Sequence, residues 1–225
     1  MIMNINIDRD EVLRYLGYRN QEIDPGTNSL IDEAVSETLL NLSKHYTYRI
    51  FDLERKEGRI NLLQSRISLT GKGISSHLEG AEKCAVMALT LGVKIDEKLR
   101  LYTKTEVTKA LIMDACATVA VESLAEKVEE KIRHAANDEG LFLTERFSPG
   151  YSDLPITVQP EIIKALDAHR KIGLSATESC LLIPQKSVTA VAGFIQKERG
   201  KRIKDCEDCS KYKDCLFRKE GKKCD

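Results

Sequence analysis

Apolar positions recur at helical spacing in several parts of the chain and alternate or bunch in others. Asp8 to Tyr18 predicts a short amphipathic helix carrying Val12, Leu13 and Leu16, stopped by Gly17, with Asp24-Pro25-Gly26 as a turn. Asn28 to Lys44 predicts a second helix with the stripe Ile31, Ala34, Val35, Thr38 and Leu42. Tyr46 to Leu53, rich in aromatic and β-branched residues, predicts a strand. Arg59 to Thr70 is ambiguous, with Ile67 and Leu69 alternating as in a strand, and Gly71 and Gly73 predict a flexible connection. Leu78 to Leu91 predicts a buried helical face of Cys84, Ala85, Met87, Ala88 and Leu91, closed by Gly92.

A long helix is predicted from Thr105 to Ala136, with a capping box of Thr103 and Glu106 at its start. Its stripe of Ile112, Cys116, Val119, Leu124, Val128 and Ile132 drifts slowly around the axis. Leu141 to Thr144 predicts a short strand after Gly140. Pro160 suits the first turn of another helix, reaching His169 with Ile162, Ile163 and Leu166 inward and Gly173 beyond it. Ser179 to Ile183 and Ser187 to Phe194 predict a hairpin around Pro184-Gln185-Lys186. Helices and strands are interspersed without βαβ alternation. The expected fold class is therefore α+β: a mainly antiparallel, twisted sheet packed with several helices, one of them long.

Composition narrows the class. A chain of 225 residues with 42% hydrophobic residues can bury a real core. Thirty-five basic and thirty-five acidic side chains cancel, so no overall pull toward nucleic acid or a membrane surface is expected. No apolar run is long enough to span a bilayer, and the start lacks the layout of a signal peptide, so the expected location is cytoplasmic. Residues 1–200 are expected to form one domain and residues 201–225 a charged, cysteine-rich tail.

One stretch stands apart chemically: Arg146-Phe147-Ser148-Pro149-Gly150-Tyr151, continued by Ser152-Asp153-Leu154-Pro155. Arg146 supplies a planar fork of donors suited to a carboxylate or phosphate. Pro149 stiffens the backbone, Gly150 permits a positive φ or close approach, and Tyr151 adds a flat ring with a polar tip. The same residues also suit an ordinary surface turn.

Three pieces of sequence, in order and at compatible spacing, resemble the activation domain of cobalamin-dependent methionine synthase. They are Val121-Glu122-Ser123-Leu124-Ala125-Glu126-Lys127-Val128-Glu129-Glu130-Lys131-Ile132-Arg133; Arg146-Phe147-Ser148-Pro149-Gly150-Tyr151; and Ile172-Gly173-Leu174-Ser175-Ala176-Thr177-Glu178-Ser179, continued by Pro184 and Ser187-Val188. Together they span about a third of the chain, and the first hundred residues look more like a stand-alone form of the domain than the multidomain synthase.

The resemblance implies a reactivation component that binds S-adenosylmethionine and docks over cobalamin carried by a partner methionine synthase chain. There, one electron from a flavodoxin-type donor and a methyl group from S-adenosylmethionine return inactive cob(II)alamin to methylcobalamin. By the same resemblance Arg146 pairs with the ligand carboxylate, the backbone of Ser148, Pro149 and Gly150 lies along the adenine, and Tyr151 faces the corrin as the catalytic residue. Glu122, at the margin of the long helix's stripe beside Leu111 and Ala115, is either a ligand contact or a solvated helix charge. Glu178 is expected to order its loop, Asp153 to cap a turn in preference to touching the ligand, and Asp114 to be solvated.

The chain departs from the family in two places. Ala190-Val191-Ala192-Gly193-Phe194 has an aromatic residue only at its end, where the family has aromatics that help hold the ligand, and no histidine follows Tyr151.

The tail carries Cys206-x2-Cys209-x5-Cys215-x8-Cys224 and a local basic excess of four from Lys197 onward. Its thiols suit a zinc ion, an iron–sulfur cluster, or no metal at all. Cys84, Cys116 and Cys180 lie in apolar segments and read as core residues. His45, His77, His134 and His169 are expected in helices or at their ends and have no ligand-like spacing. A different class of function remains open: a binding or activator module for a corrinoid protein, with or without an iron–sulfur cluster, that does not itself use S-adenosylmethionine.

Overall fold

A computed structural model of the chain describes residues 3–19 and 21–198. The first helix, α1 (Arg9–Tyr15), is capped by Asp8, whose carboxylate accepts from the amides of Asp10 and Glu11. The second, α2 (Pro25–Asn41), starts a turn earlier than its apolar stripe suggests. Asp24 is its N-cap, accepting from the Thr27 amide at 3.0 Å, and Pro25 occupies the first turn, where a missing N–H costs nothing.

Three strands follow as an antiparallel meander: β1 (His45–Lys56), β2 (Arg59–Leu62) and β3 (Ser68–Leu69). This resolves the ambiguous stretch after Arg59 as strand. Glu57 and Gly58 both have positive φ, the primed turn that matches the strand twist. The short helix α3 (Lys72–His77) then begins between Gly71 and Gly73, so this stretch is helix rather than a flexible connection.

The segment predicted as a helix from Leu78 is instead dominated by the strand β4 (Lys83–Thr90). It lies in the middle of the sheet and is buried on both faces, so its apolar residues run on without alternation. Helix α4 (Val93–Thr105), absent from the elements predicted above although Ile95, Leu99 and Tyr102 stand at helical spacing, leads directly into the long α5 (Val107–Asp138). No capping box forms between them. Glu106 is the junction of the two helices, and the Thr103 hydroxyl donates to the Leu99 carbonyl at 2.7 Å.

After β5 (Phe142–Leu143) and a 3-10 turn at Ile156–Val158 come α6 (Gln159–Leu166) and α7 (Ala168–Ile172), separated by Asp167 in the left-handed region. The strands β6 (Ser175–Ala176) and β7 (Leu182–Ile183) pair with each other, and β8 (Ser187–Ile195) runs between β4 and β5. The predicted hairpin across Pro184 therefore does not form, because the partner of β8 is a central strand about a hundred residues earlier.

The main sheet has the order β3-β2-β1-β4-β8-β5, with every pair antiparallel. Alternate residues of β4 and β8 enter two different cores. Ala85, Met87, Leu89, Ala190, Ala192 and Phe194 pack with α1, α2 and α5. Cys84, Val86, Ala88 and Val191 pack with α3, α6 and α7. Each large apolar side chain fully removed from water in these layers contributes about 1.5–3 kcal/mol. The long helix thus rests on a two-sided sheet, and its exposed flank is held at a fixed distance from the loop after β5. No helix among the described residues is long and apolar enough to cross a membrane.

Candidate ligand-binding site

The loop after β5 is tied to the sheet before it turns. Phe147 exchanges two backbone hydrogen bonds of 2.9 Å with Val191 of β8. The Thr144 hydroxyl accepts from the Gly193 amide at 2.8 Å. Gly193 is glycine for want of room: a Cβ there would lie 2.9 Å from a methyl of Leu78 and 3.1 Å from the Cβ of Ala81. These ties fix the backbone on both sides of Arg146.

Ser148 to Tyr151 forms a β-turn, with the Tyr151 amide donating to the Ser148 carbonyl at 3.1 Å. Pro149 stands at its second position and Gly150, with φ of 85°, at its third, the arrangement of a type II turn. The Gly150 amide donates to the Leu154 carbonyl at 2.8 Å. The amides of Gly150 and Tyr151 are thus already engaged within the loop. The ring of Tyr151 is 57% exposed. That ring meets Phe147 edge-on, with centroids 6.0 Å apart, and Phe147 in turn lies 5.0 Å from His77.

Arg146 lies against α5. Its Nη2 donates to Glu122 Oε2 at 3.1 Å, and its Nε is 3.0 Å from Glu129 Oε2. Glu122 and Glu129 are seven residues apart, two helical turns, and so share one face. The structure therefore brings together Arg146 and Glu122, from the two ends of the expected site, and adds Glu129, which sequence reasoning passed over. The i, i+7 spacing from Glu122 was the available signal. Arg133, one turn further on, donates to the other oxygen of Glu129.

Asp153 does more than cap a local turn. Both its oxygens lie 3.0 Å from the amide of Gly73 at the start of α3, so it pins the loop to a distant element. These backbone hydrogen bonds hold its carboxyl below the usual range. Asp114 is ion-paired with Lys186 at 2.8 Å rather than merely solvated. The β6–β7 loop is ordered by Thr177, whose hydroxyl accepts from the Leu181 amide at 3.0 Å, and not by the carboxylate of Glu178. Phe194, the aromatic just beyond the third matching piece, is buried in the core beneath α5.

Two clefts open elsewhere. One, of about 370 Å³, involves Gln64 and Lys164. The other, of about 520 Å³, lies between α4 and α5 and is lined by Asp96, Val107 and Leu111. Neither includes Arg146.

Cys84, Cys116 and Cys180 are buried, as expected of core residues, and burial pushes Cys84 up to about 12. His45 departs from expectation by lying in β1. No group of three or more potential metal ligands occurs among the described residues. The four tail cysteines and the proposed boundary at residue 200 lie outside them.

The fold is similar to the crystal structure of the MetH reactivation domain bound to AdoHcy, with a TM-score of 0.60 and 17% sequence identity, covering 93% of this chain and 80% of that one. The comparison with curated proteins yields no match. The family model described as vitamin B12 dependent methionine synthase, activation domain, matches residues 73–199, which is more than half of the chain and contains the whole of the Arg146 loop, α5 and β8. The chain belongs to the activation-domain family of vitamin B12 dependent methionine synthase.

Proposed function

We propose that this chain binds S-adenosylmethionine between α5 and the Ser148–Tyr151 turn and serves as the reactivation component for cobalamin carried on a methionine synthase chain. The observation that carries this reading is the Arg146–Glu122 pair, 3.1 Å apart and partly open to solvent on both sides. An amino-acid zwitterion presents the complementary pair of charges. Its carboxylate suits the guanidinium and its cationic side suits Glu122, so one internal ion pair is exchanged for two with the ligand.

When bound, S-adenosylmethionine supplies an activated methyl group, and the partner supplies the cobalt and its corrin. This chain's own contribution is positional. Arg146 and Glu122 hold the amino-acid end, and the carbonyls of Pro149 and Gly150 flank the adenine. Tyr151, exposed at the rim, is the residue that meets the corrin. A flavodoxin-type protein is the proposed electron donor, and the cytoplasm the proposed location. A relative that shares the fold over nearly all of this chain has AdoHcy bound, which supports a ligand of this class.

Calorimetry with S-adenosylhomocysteine, alone and with a cobalamin-loaded methionine synthase chain, tests the reading. Binding is expected, and Arg146→Ala is expected to weaken it about 10- to 100-fold, the worth of a hydrogen-bonded charge pair. Absence of binding in both settings, or an unchanged Arg146→Ala, rejects it. Binding to the partner alone, without the nucleoside, identifies instead a corrinoid-protein module that does not use this methyl donor.

A further inference from the structure

Arg146 has two carboxylate neighbours, and they are not equivalent. Glu129 is only 16% exposed, and each of its oxygens meets a different guanidinium, Arg146 on one side and Arg133 on the other. Glu122 is 46% exposed and meets Arg146 through one oxygen. A guanidinium offers five N–H donors, one at Nε and two at each Nη. Glu129 takes the Nε side. Among the described residues, the only ion pair at an Nη nitrogen of Arg146 is the one with Glu122, at Nη2. The inner carboxylate is therefore fixed and the outer one exchangeable.

We infer that Glu129 is a positioning residue: it holds Arg146 at Nε so that the Nη groups face the ligand carboxylate, while Glu122 occupies Nη2 until the ligand arrives. This rests on the ligand reading given above. The charges support it. Arg133, Arg146, Glu122 and Glu129 together are neutral, and an α-amino-acid end, itself neutral overall, enters without leaving a net charge against α5. Without Glu129, the long side chain of Arg146 loses its fixed pivot and follows Glu122 toward solvent. The guanidinium then has to be re-ordered at each binding event, at a cost in affinity. Glu129 touches no ligand in this arrangement and acts only through Arg146.

A double-mutant cycle read by calorimetry with S-adenosylhomocysteine tests this on the full chain, using the wild type, Glu129→Ala, Arg146→Ala and the double variant. Glu129→Ala is expected to weaken binding about tenfold, while the same change in the Arg146→Ala background adds nothing further, because coupled residues are non-additive. Glu129→Gln, which keeps the volume, serves if the alanine variant fails to fold, and is expected to show the same non-additivity. Equal losses in both backgrounds show a general structural effect and overturn the inference. Wild-type affinity in the Glu129 variants, with Arg146→Ala defective, overturns it as well while leaving the ligand reading intact. An Arg146→Ala protein that binds like the wild type overturns the ligand reading itself.

Discussion

Asp153 and Gly73 are eighty residues apart in sequence, yet both carboxylate oxygens of Asp153 lie 3.0 Å from the Gly73 amide. This contact joins the loop carrying Pro149, Gly150 and Tyr151 to the first turn of α3. It also explains two glycines. A Cβ on Gly71 would fall 2.6 Å from an Asp153 oxygen and 2.9 Å from the Asp153 backbone carbonyl, at a φ of 134°. A Cβ on Gly73 would fall 2.8 Å from the same carboxylate and from the Ser152 hydroxyl.

Gly71→Ala is expected to destabilise the chain by about 1–3 kcal/mol, the combined scale of backbone strain and overpacking. For a chain of this size that lowers Tm by roughly 2–12 °C. Differential scanning calorimetry reads the change, and an unaltered Tm would mean that the loop and α3 are not in contact in solution.

Asp153 also has a pH signature. Its folded carboxyl is held below the ordinary value of 3.8, so the ionised form is the one favoured by folding. The stability it confers is present above 3.8 and is lost as the pH falls through the lower folded value. Asp153→Asn is therefore expected to be less stable than the wild type at neutral pH, with the difference shrinking in acid. Denaturant midpoints at neutral pH and below pH 3.8 check this, and a difference that grows in acid contradicts it.

A second charged cluster joins the helices. Glu37 on α2 accepts from Lys98 at 2.8 Å and Tyr102 at 2.6 Å on α4, and lies 3.2 Å from Lys109 on α5. Burial by itself would raise its pKa, but the three donors outweigh burial and bring it to about 2. Its contribution to stability is thus full above 4.5 and fades as the pH falls toward about 2. Glu37→Gln is expected to cost about 1–3 kcal/mol at neutral pH by leaving its cationic neighbours under-partnered. It should also flatten the acid limb of the pH–stability curve. Urea unfolding across that range is the measurement, and parallel curves for the two proteins rule the cluster out as the cause.

Thiol reactivity reports on the core. Burial pushes Cys84 up to about 12 and Cys116 to about 11, so neither forms the reactive thiolate at neutral pH. In the native protein an alkylating reagent is expected to leave both unlabelled, and in denaturant to label both. Peptide mass spectrometry distinguishes the states, and native labelling of Cys84 would show that the sheet opens around β4.

Helices α2 and α5 announce themselves in the sequence because each buries an apolar face whose positions recur at the 3.6-residue helical period. Pro149 and Gly150 likewise specify their turn, since a fixed φ followed by a positive φ is chemistry local to two residues. The resemblance of the Arg146 segment to its family is of the same kind, a property of adjacent residues. Central strand β4 is different. Its apolar run satisfies a helix or a strand equally well, and only the presence of β1 on one side and β8 on the other selects the strand. The pairing of Ser187 to Ile195 with β4 rather than with its nearest neighbour, the union of Arg146 with Glu122 and Glu129, and the clasp of Asp153 on Gly73 all depend on where distant segments meet. The i, i+7 spacing of the two glutamates puts them on one helix face but does not name their partner, and the other contacts leave no periodic trace at all, so these pairings exist only once the sheet has folded between its helices.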